Sequence, residues 1–199
     1  MREENRALRQ EQIEKAAYEL LEQKGYAGTS MLGIARRARA SIETLYNWYG
    51  DKQGLFRALV ARNATEVRIL LEAELSRGLD AVSILGLFGP RLLELLLGNR
   101  AIALNRAAAA DASGELGVAI SQAGRETVMP LLAQVLEDAR RSGYLQFDRP
   151  EEAAELYLDL LVGDLQMRRV IGRTSAPSPE FVQQRPEMAV RNLSRILRG

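Results

Sequence analysis

Residues 44–52 read TLYNWYGDK and gather groups that bind without making covalent bonds. They are the hydroxyls of Thr44 and Tyr46, the amide of Asn47, the indole of Trp48 and the ammonium of Lys52. Just ahead of them, Ser41 and Glu43 add a hydroxyl and a carboxylate, and Ile42 an apolar edge. Hydroxyls and an ammonium suit anionic oxygens, and a primary amide offers a donor and an acceptor side by side. No nucleophile is paired with a base in this set. The chain has no cysteine and no histidine. Disulfides and thiolate chemistry are therefore excluded, the side chain best suited to proton transfer near neutral pH is missing, and zinc would have to be held by carboxylates alone. No catalytic residue, no cofactor and no metal site is expected.

The elements that must carry these groups are helices. Ile13, Ala16, Ala17, Leu20 and Leu21 recur at i, i+3, i+4, i+7 and i+8, and Gly25 then closes that helix. Thr29 or Ser30 caps a second one, whose inner face is Met31, Ile34, Ala35 and Ala38. Arg39–Ala40 forms a tight turn, and Ser41 caps a third helix ending near Tyr49. Gly50 breaks it and Asp51 caps a fourth. Apolar residues from Leu55 to Leu75 keep the helical period, so the fourth helix spans roughly 40 Å at about 1.5 Å per residue. A helix of that length outreaches the small unit in which it starts.

Further apolar helical segments lie near 81–98, 100–112 and 115–142. Pro130 opens or kinks a helix, and Pro150 opens another that runs to about Ile171. The stretch TSAPSP at 174–179 is a loop, and a last helix covers about 180–198. With no strand pattern and no repeat, the expected class is all-α. The expected division is 1–52 and 53–199. A hydrophobic content of 47% and a charged content of 27% are ordinary for a globular chain. No apolar run is long enough for a membrane span and the opening MREENRALRQEQIEK lacks an apolar core, so a cytoplasmic protein without membrane contact is expected.

Residues 29–49 have the size and punctuation of a helix-turn-helix, whose second helix enters the DNA major groove. With Leu45 at the centre of the inner face, Glu43 and Asn47 point away from it, flanked by Thr44 and Tyr46. Asn47 can pair with an adenine edge. Glu43 either accepts from a cytosine amino group or merely stabilises the helix start. Ile42 touches a thymine methyl or packs inward. The hydroxyls of Ser30 and Thr44, with the start of the second helix, suit phosphates. The net charge of +1 gives no whole-molecule field, but residues 1–62 carry 11 basic and 8 acidic side chains. Between Ala27 and Ile42 stand Arg36, Arg37 and Arg39 and no acid, as a phosphate-binding surface requires.

The stretch TSMLGIARRARASIETLYNWYGDKQGLFRALV (29–60) resembles the DNA-binding domain of the TetR family of bacterial transcription regulators, also called TetR/AcrR. The resemblance rests on Thr29-Ser30, Ile34-Ala35, Ala38, Ser41, Thr44-Leu45-Tyr46, the aromatic Tyr49, Lys52 and Leu55. GYLQFDRPEEAAELYLDLLVGDLQMR (143–168) looks like the C-terminal part of one broad subgroup. Family members often carry Gly-Val-Ser where Arg39-Ala40-Ser41 stands, a small residue where Glu43 stands, and Phe where Tyr49 stands. The resemblance implies that Tyr46 and Lys52 hold phosphates, that Tyr49 is core, and that Trp48 is half packed and half facing the backbone. Thr29, Ser30, Ser41, Ile42, Glu43, Thr44, Tyr46, Asn47, Trp48 and Lys52 are thus the expected DNA-binding residues.

The resemblance also implies that the C-terminal part binds a small effector and forms a homodimer through the last two helices, about 150–172 and 180–198. Asn105, Asp111, Asp164 and Gln166 are polar positions in apolar helices that could orient an effector. The expected partners are double-stranded operator DNA, an unidentified small molecule and a second copy. The expected function is that of a repressor released from its operator by the effector. The alternative is an all-α carrier or enzyme acting on apolar small molecules.

Overall fold

The computed structural model describes residues 2–198, and the backbone alone of residues 2–4. Among the described residues all regular structure is helical: α1 (Arg2–Gly28), α2 (Met31–Ala38), α3 (Ile42–Tyr49), α4 (Lys52–Ser76), α5 (Ala81–Leu97), α6 (Asn99–Ala109), α7 (Glu115–Ile120), α8 (Glu126–Arg141), α9 (Pro150–Val162), α10 (Leu165–Val170) and α11 (Pro179–Leu197). A π turn at Ser121–Arg125 leads from α7 into α8. No single helix among the described residues is long and apolar enough to cross a membrane. The all-α class expected from the spacing is the observed one.

The chain divides into two compact units. The first comprises residues 1–62 and 103–121, the second 63–102 and 122–199. The three chain boundaries fall inside α4, inside α6 and in the π turn.

In the first unit, Ile13, Ala17, Ile34, Leu45, Leu55 and Phe56 form the interior. The glycine at 25 ends the regular part of α1 as its position suggested, with φ 67°. Ser30 and Ser41 both realise their capping roles: their hydroxyls accept from the N–H groups of Gly33 and Thr44, at 3.1 and 3.0 Å. Asp51 caps α4 by accepting from the N–H of Gly54 at 2.6 Å. Gly54 is a glycine for a second reason, since a Cβ there would run into the carbonyl oxygen of Tyr49. That close approach sets the short α3 directly against the first turn of α4.

In the second unit, α5, α8, α9 and α11 pack on one another around Leu85, Phe88, Leu93, Leu132, Leu136, Tyr157, Leu161 and Leu193. Tyr157 is fully buried and donates its hydroxyl to the Leu85 carbonyl at 3.1 Å. α5 and α11 approach so closely at Gly89 that a Cβ there would lie 2.6 Å from Cβ of Pro186 and 2.8 Å from the Tyr157 hydroxyl.

Two features differ from the expected segments. The single helix expected over 150–171 is broken at Gly163, whose φ of 50° and ψ of −131° are not helical. The break frees carbonyls at the end of α9, and Arg185 of α11 donates to that of Leu161 at 3.0 Å. It also turns α10 onto the end of α5, where Gln166 donates to the Leu96 carbonyl at 2.9 Å and Arg169 to Asn99 at 2.9 Å. The helix expected over 115–142 is interrupted by the π turn, and Pro130 lies inside α8, where it has no N–H for the ladder.

Candidate nucleic-acid interface

α3 is eight residues long and is anchored by its inner face. Leu45 is completely buried beneath it. Tyr49 is half-buried, and its ring meets that of Trp48 edge-on with centroids 6.4 Å apart. Burial pushes the Tyr49 phenol up to about 12, helped by the Glu14 carboxylate and opposed by Arg62. Its hydroxyl is buried with no hydrogen-bond partner among the described residues. Glu14 is instead taken by Arg62 and Gln10, each at 3.0 Å. Tyr49 thus acts as an apolar wedge that sets the end of α3 against α1 and α4.

The opposite face is open. Glu43, Tyr46 and Asn47 are exposed, Tyr46 by 52%. Ser41 is exposed, and Ile42, Thr44 and Trp48 are half-buried along the edges. The Ser41 and Thr44 hydroxyls lie 2.7 Å apart, so the start of α3 presents them together. These groups form one polar ridge with an aromatic at its end. An isolated helix of this length is marginal in water, so the ridge keeps its shape through tertiary packing.

Two of the expected contact residues are committed inside the unit. Thr29 is 2% exposed and donates its hydroxyl to the Gly25 carbonyl at 2.8 Å. Lys52 is half-buried, donates to the Tyr26 carbonyl, and lies 4.0 Å from the centroid of the Tyr26 ring. Burial lowers its pKa. Tyr26 in turn packs edge-on against Phe56 with centroids 5.1 Å apart.

The turn between α2 and α3 contains the only non-glycine residue with positive φ among those described, Arg39, at φ 51° and ψ 40°. The family glycine noted above would adopt this conformation without strain. Here the turn is braced from α1: Arg9 donates to the Arg39 carbonyl at 3.1 Å and to that of Ala38 at 3.5 Å. A guanidinium at the C-terminal end of α2 also opposes the negative end of its dipole. Beside Arg9, the guanidinium of Arg6 lies 5.4 Å from the centre of the Trp48 ring. Neither Arg6 nor Arg9 is among the residues expected from the sequence to bind DNA. Their signal was the spacing of Arg2, Arg6 and Arg9 at i, i+4 and i+7, one face of a helix.

The four candidate effector residues fall in both compact units. Asn105 and Asp111 belong to the first. Asp111 organises its own loop, accepting from Ser113 and from the N–H of Leu116 at 3.0 Å. Asp164 and Gln166 belong to the second, at the start of α10. Asp164 is exposed and Gln166 is held on the Leu96 carbonyl. An open groove of about 520 Å³ runs along α8 to the start of α9, over Met129, Pro130, Ala133 and Pro150, and none of the four lines it.

An all-α chain with a small helix-turn-helix unit and a larger helical part has the make-up of a DNA-binding regulator. A family model described as "Bacterial regulatory proteins, tetR family" matches residues 13–59, and one described as "AefR-like transcriptional repressor, C-terminal domain" matches residues 83–195. A comparison with curated proteins finds no match. Among solved structures, the chain is similar to a TetR-family transcriptional regulator of Mesorhizobium loti MAFF303099, with 26% identity over 96% of each chain and a TM-score of 0.80. It is also similar to a TetR transcriptional regulator of Agrobacterium tumefaciens, with 31% identity, 95% of this chain and 94% of the other covered, and a TM-score of 0.74. A third similar structure is that of the flavonoid-responsive regulator FrrA, with 28% identity, 94% and 96% coverage and a TM-score of 0.67. The protein belongs to the TetR family of bacterial transcription regulators. Members of this family are non-enzymatic DNA-binding transcription factors that bind operator DNA and small-molecule ligands and act as dimers.

Proposed function

We propose that this protein is a repressor that binds its operator through the ridge on α3 and is released from it by a small-molecule effector. The observation that carries this reading is the exposed row Glu43, Tyr46 and Asn47 above the fully buried Leu45. Asn47 and Glu43 read base edges. Tyr46, Ser30, Ser41, Thr44 and Trp48 line the phosphate backbone, and Ile42 lies against a thymine methyl. Lys52 leaves the Tyr26 carbonyl for a phosphate when DNA is bound. Thr29 contributes by holding the start of α2 in place. The match to the C-terminal domain of AefR-like repressors over residues 83–195 supports repression over activation.

By this reading residues 1–52 bind DNA and residues 53–199 bind the effector and pair with a second copy through α9 to α11. Leu156, Leu158, Leu160 and Val162 of α9 and Met188 and Ile196 of α11 are apolar and not fully covered, which suits a face shared by two copies. The segment 103–121 links the two roles. It belongs to the effector-binding part and touches the first turns of α4, directly after Lys52: Ser113 accepts from Gln53 at 3.1 Å and Glu115 pairs with Arg57 at 3.0 Å. An effector that moves this segment biases the placement of α3. It does so only to the extent that its affinities for the two states differ.

The test is operator affinity, measured with and without a ligand shown to bind. A drop in affinity with the ligand present is the expected result. A tightly bound ligand that leaves operator affinity unchanged refutes the release mechanism.

A further inference from the structure

The arginines described between residues 5 and 62 divide into two sets. Arg37, Arg57 and Arg62 are each paired with a carboxylate, of Glu19, Glu115 and Glu14 respectively. Arg6, Arg9, Arg36 and Arg39 have no ion pair among the described residues. Arg9 and Arg39 meet at the turn that enters α3, and Arg6 stands against Trp48 near its end. Three of these guanidinium-bearing residues, Arg6, Arg9 and Arg39, are therefore gathered at the two ends of α3. Charge placed in this way raises the local potential for a polyanion although the whole chain is nearly neutral.

Arg6 is the member of this set nearest the start of α1. It is exposed, and the ring beneath its guanidinium is Trp48, at the end of the ridge. An indole face can hold a guanidinium while leaving the edge N–H groups of its planar fork free, and that fork fits phosphate oxygens. Arg9 lies one turn further along the same face of α1 and is fixed to the Ala38 and Arg39 carbonyls, so the position of Arg6 relative to α3 is set by backbone contacts.

We propose that the first turns of α1 extend the DNA-binding surface beyond α3, with Arg6, seated on Trp48, binding a backbone phosphate. Arg9 is the positioning residue that keeps α1 and the turn in register. The inference rests on the reading of α3 as the groove-binding helix. It adds a contact on an element outside the helix-turn-helix.

The test is the salt dependence of binding to a random-sequence duplex and to an operator selected by the wild-type protein, for wild type, Arg6→Ala and Arg6→Lys. Each phosphate contact contributes about 0.9 to the slope of log affinity against log salt. Arg6→Ala is expected to lower the slope by about 0.9 for every head in contact, equally on both duplexes, while base preference is unchanged. Arg6→Lys is expected to restore most of the slope. An unchanged slope in Arg6→Ala overturns the phosphate contact, whether affinity is unchanged or falls through loss of structure. A loss that Arg6→Lys does not restore overturns it as well. Failure of the wild type to prefer its selected operator over the random duplex would instead refute the reading of α3.

Discussion

Arg9 on α1 donates to the carbonyl of Arg39, 30 positions along the chain, at 3.1 Å. Arg39 is the residue forced into the left-handed region to turn the chain into α3. A non-glycine residue there carries a strain of about 1–2 kcal/mol, partly offset against glycine by the larger entropy glycine loses on folding. Arg39→Gly is therefore expected to stabilise the protein by about 0.5–1 kcal/mol. Arg9→Ala is expected to destabilise it, because two carbonyls at the end of α2 lose their donor. Urea unfolding of the two variants checks both signs. Destabilisation by Arg39→Gly would contradict the strain argument.

Tyr49 carries a buried hydroxyl that has no partner among the described residues. Leaving such a group unsatisfied costs about 1–3 kcal/mol, so Tyr49→Phe is expected to stabilise the protein at neutral pH by about 1 kcal/mol. The substitution also changes the alkaline limb. The folded phenol titrates at about 12 against 10.0 in the unfolded chain, so the folded state holds its proton longer. Stability from this group is fully present below pH 10 and is lost as pH rises through about 12. Tyr157 adds a loss of the same sign, since burial raises its phenol too. Tyr49→Phe is expected to be less sensitive to pH than wild type between 10 and 12, as measured by denaturation at fixed pH values.

Gly89 faces Pro186 and the Tyr157 hydroxyl with no room for a methyl group. Gly89→Ala is expected to force α5 away from α11 and to destabilise the second unit by about 1–3 kcal/mol. Thermal unfolding measures this, and the partner control Gly86→Ala, at a position where nothing lies within 4 Å, is expected not to lose stability.

Tyr46→Phe and Lys52→Ala are expected to weaken binding to every duplex sequence. Lys52→Ala should also lower the salt slope by about 0.9 per head. Lys52 is tethered to Tyr26 in the free structure, so its variant is expected to lose some stability as well. Affinity titrations at several salt concentrations, with circular dichroism to confirm folding, distinguish the two effects. A Lys52→Ala variant that folds and keeps the full slope would remove Lys52 from the interface.

The helical class, the caps at Ser30, Ser41 and Asp51 and the break in α1 at Gly25 were all legible, because each depends on side chains within a few residues of one another. The break at Gly163 was not. A glycine inside an apolar helical run costs only about 1 kcal/mol, so local pattern does not choose between an interrupted and a continuous helix. What decides it is α11, whose Arg185 takes the freed Leu161 carbonyl. The exposed face of α3 was legible from the position of Leu45 alone. The burial of Thr29 and the tether on Lys52 were not, since both are set by Gly25 and Tyr26 across turns of irregular backbone. Arg6 and Arg9 showed only as a helical stripe of arginines. Their targets, Trp48 and the carbonyls of Ala38 and Arg39, become neighbours only when α1 packs on α2 and α3.

The most direct measurement is selection of bound duplexes from a random pool, carried out with wild type and with Asn47→Ala. The wild type is expected to enrich two related half-sites about 34–36 Å apart. Asn47→Ala is expected to enrich the same sites with choice relaxed at one base position in each, at a discrimination loss of about 1–3 kcal/mol. No enrichment by the wild type, or identical base profiles for the two proteins, would contradict base reading by α3.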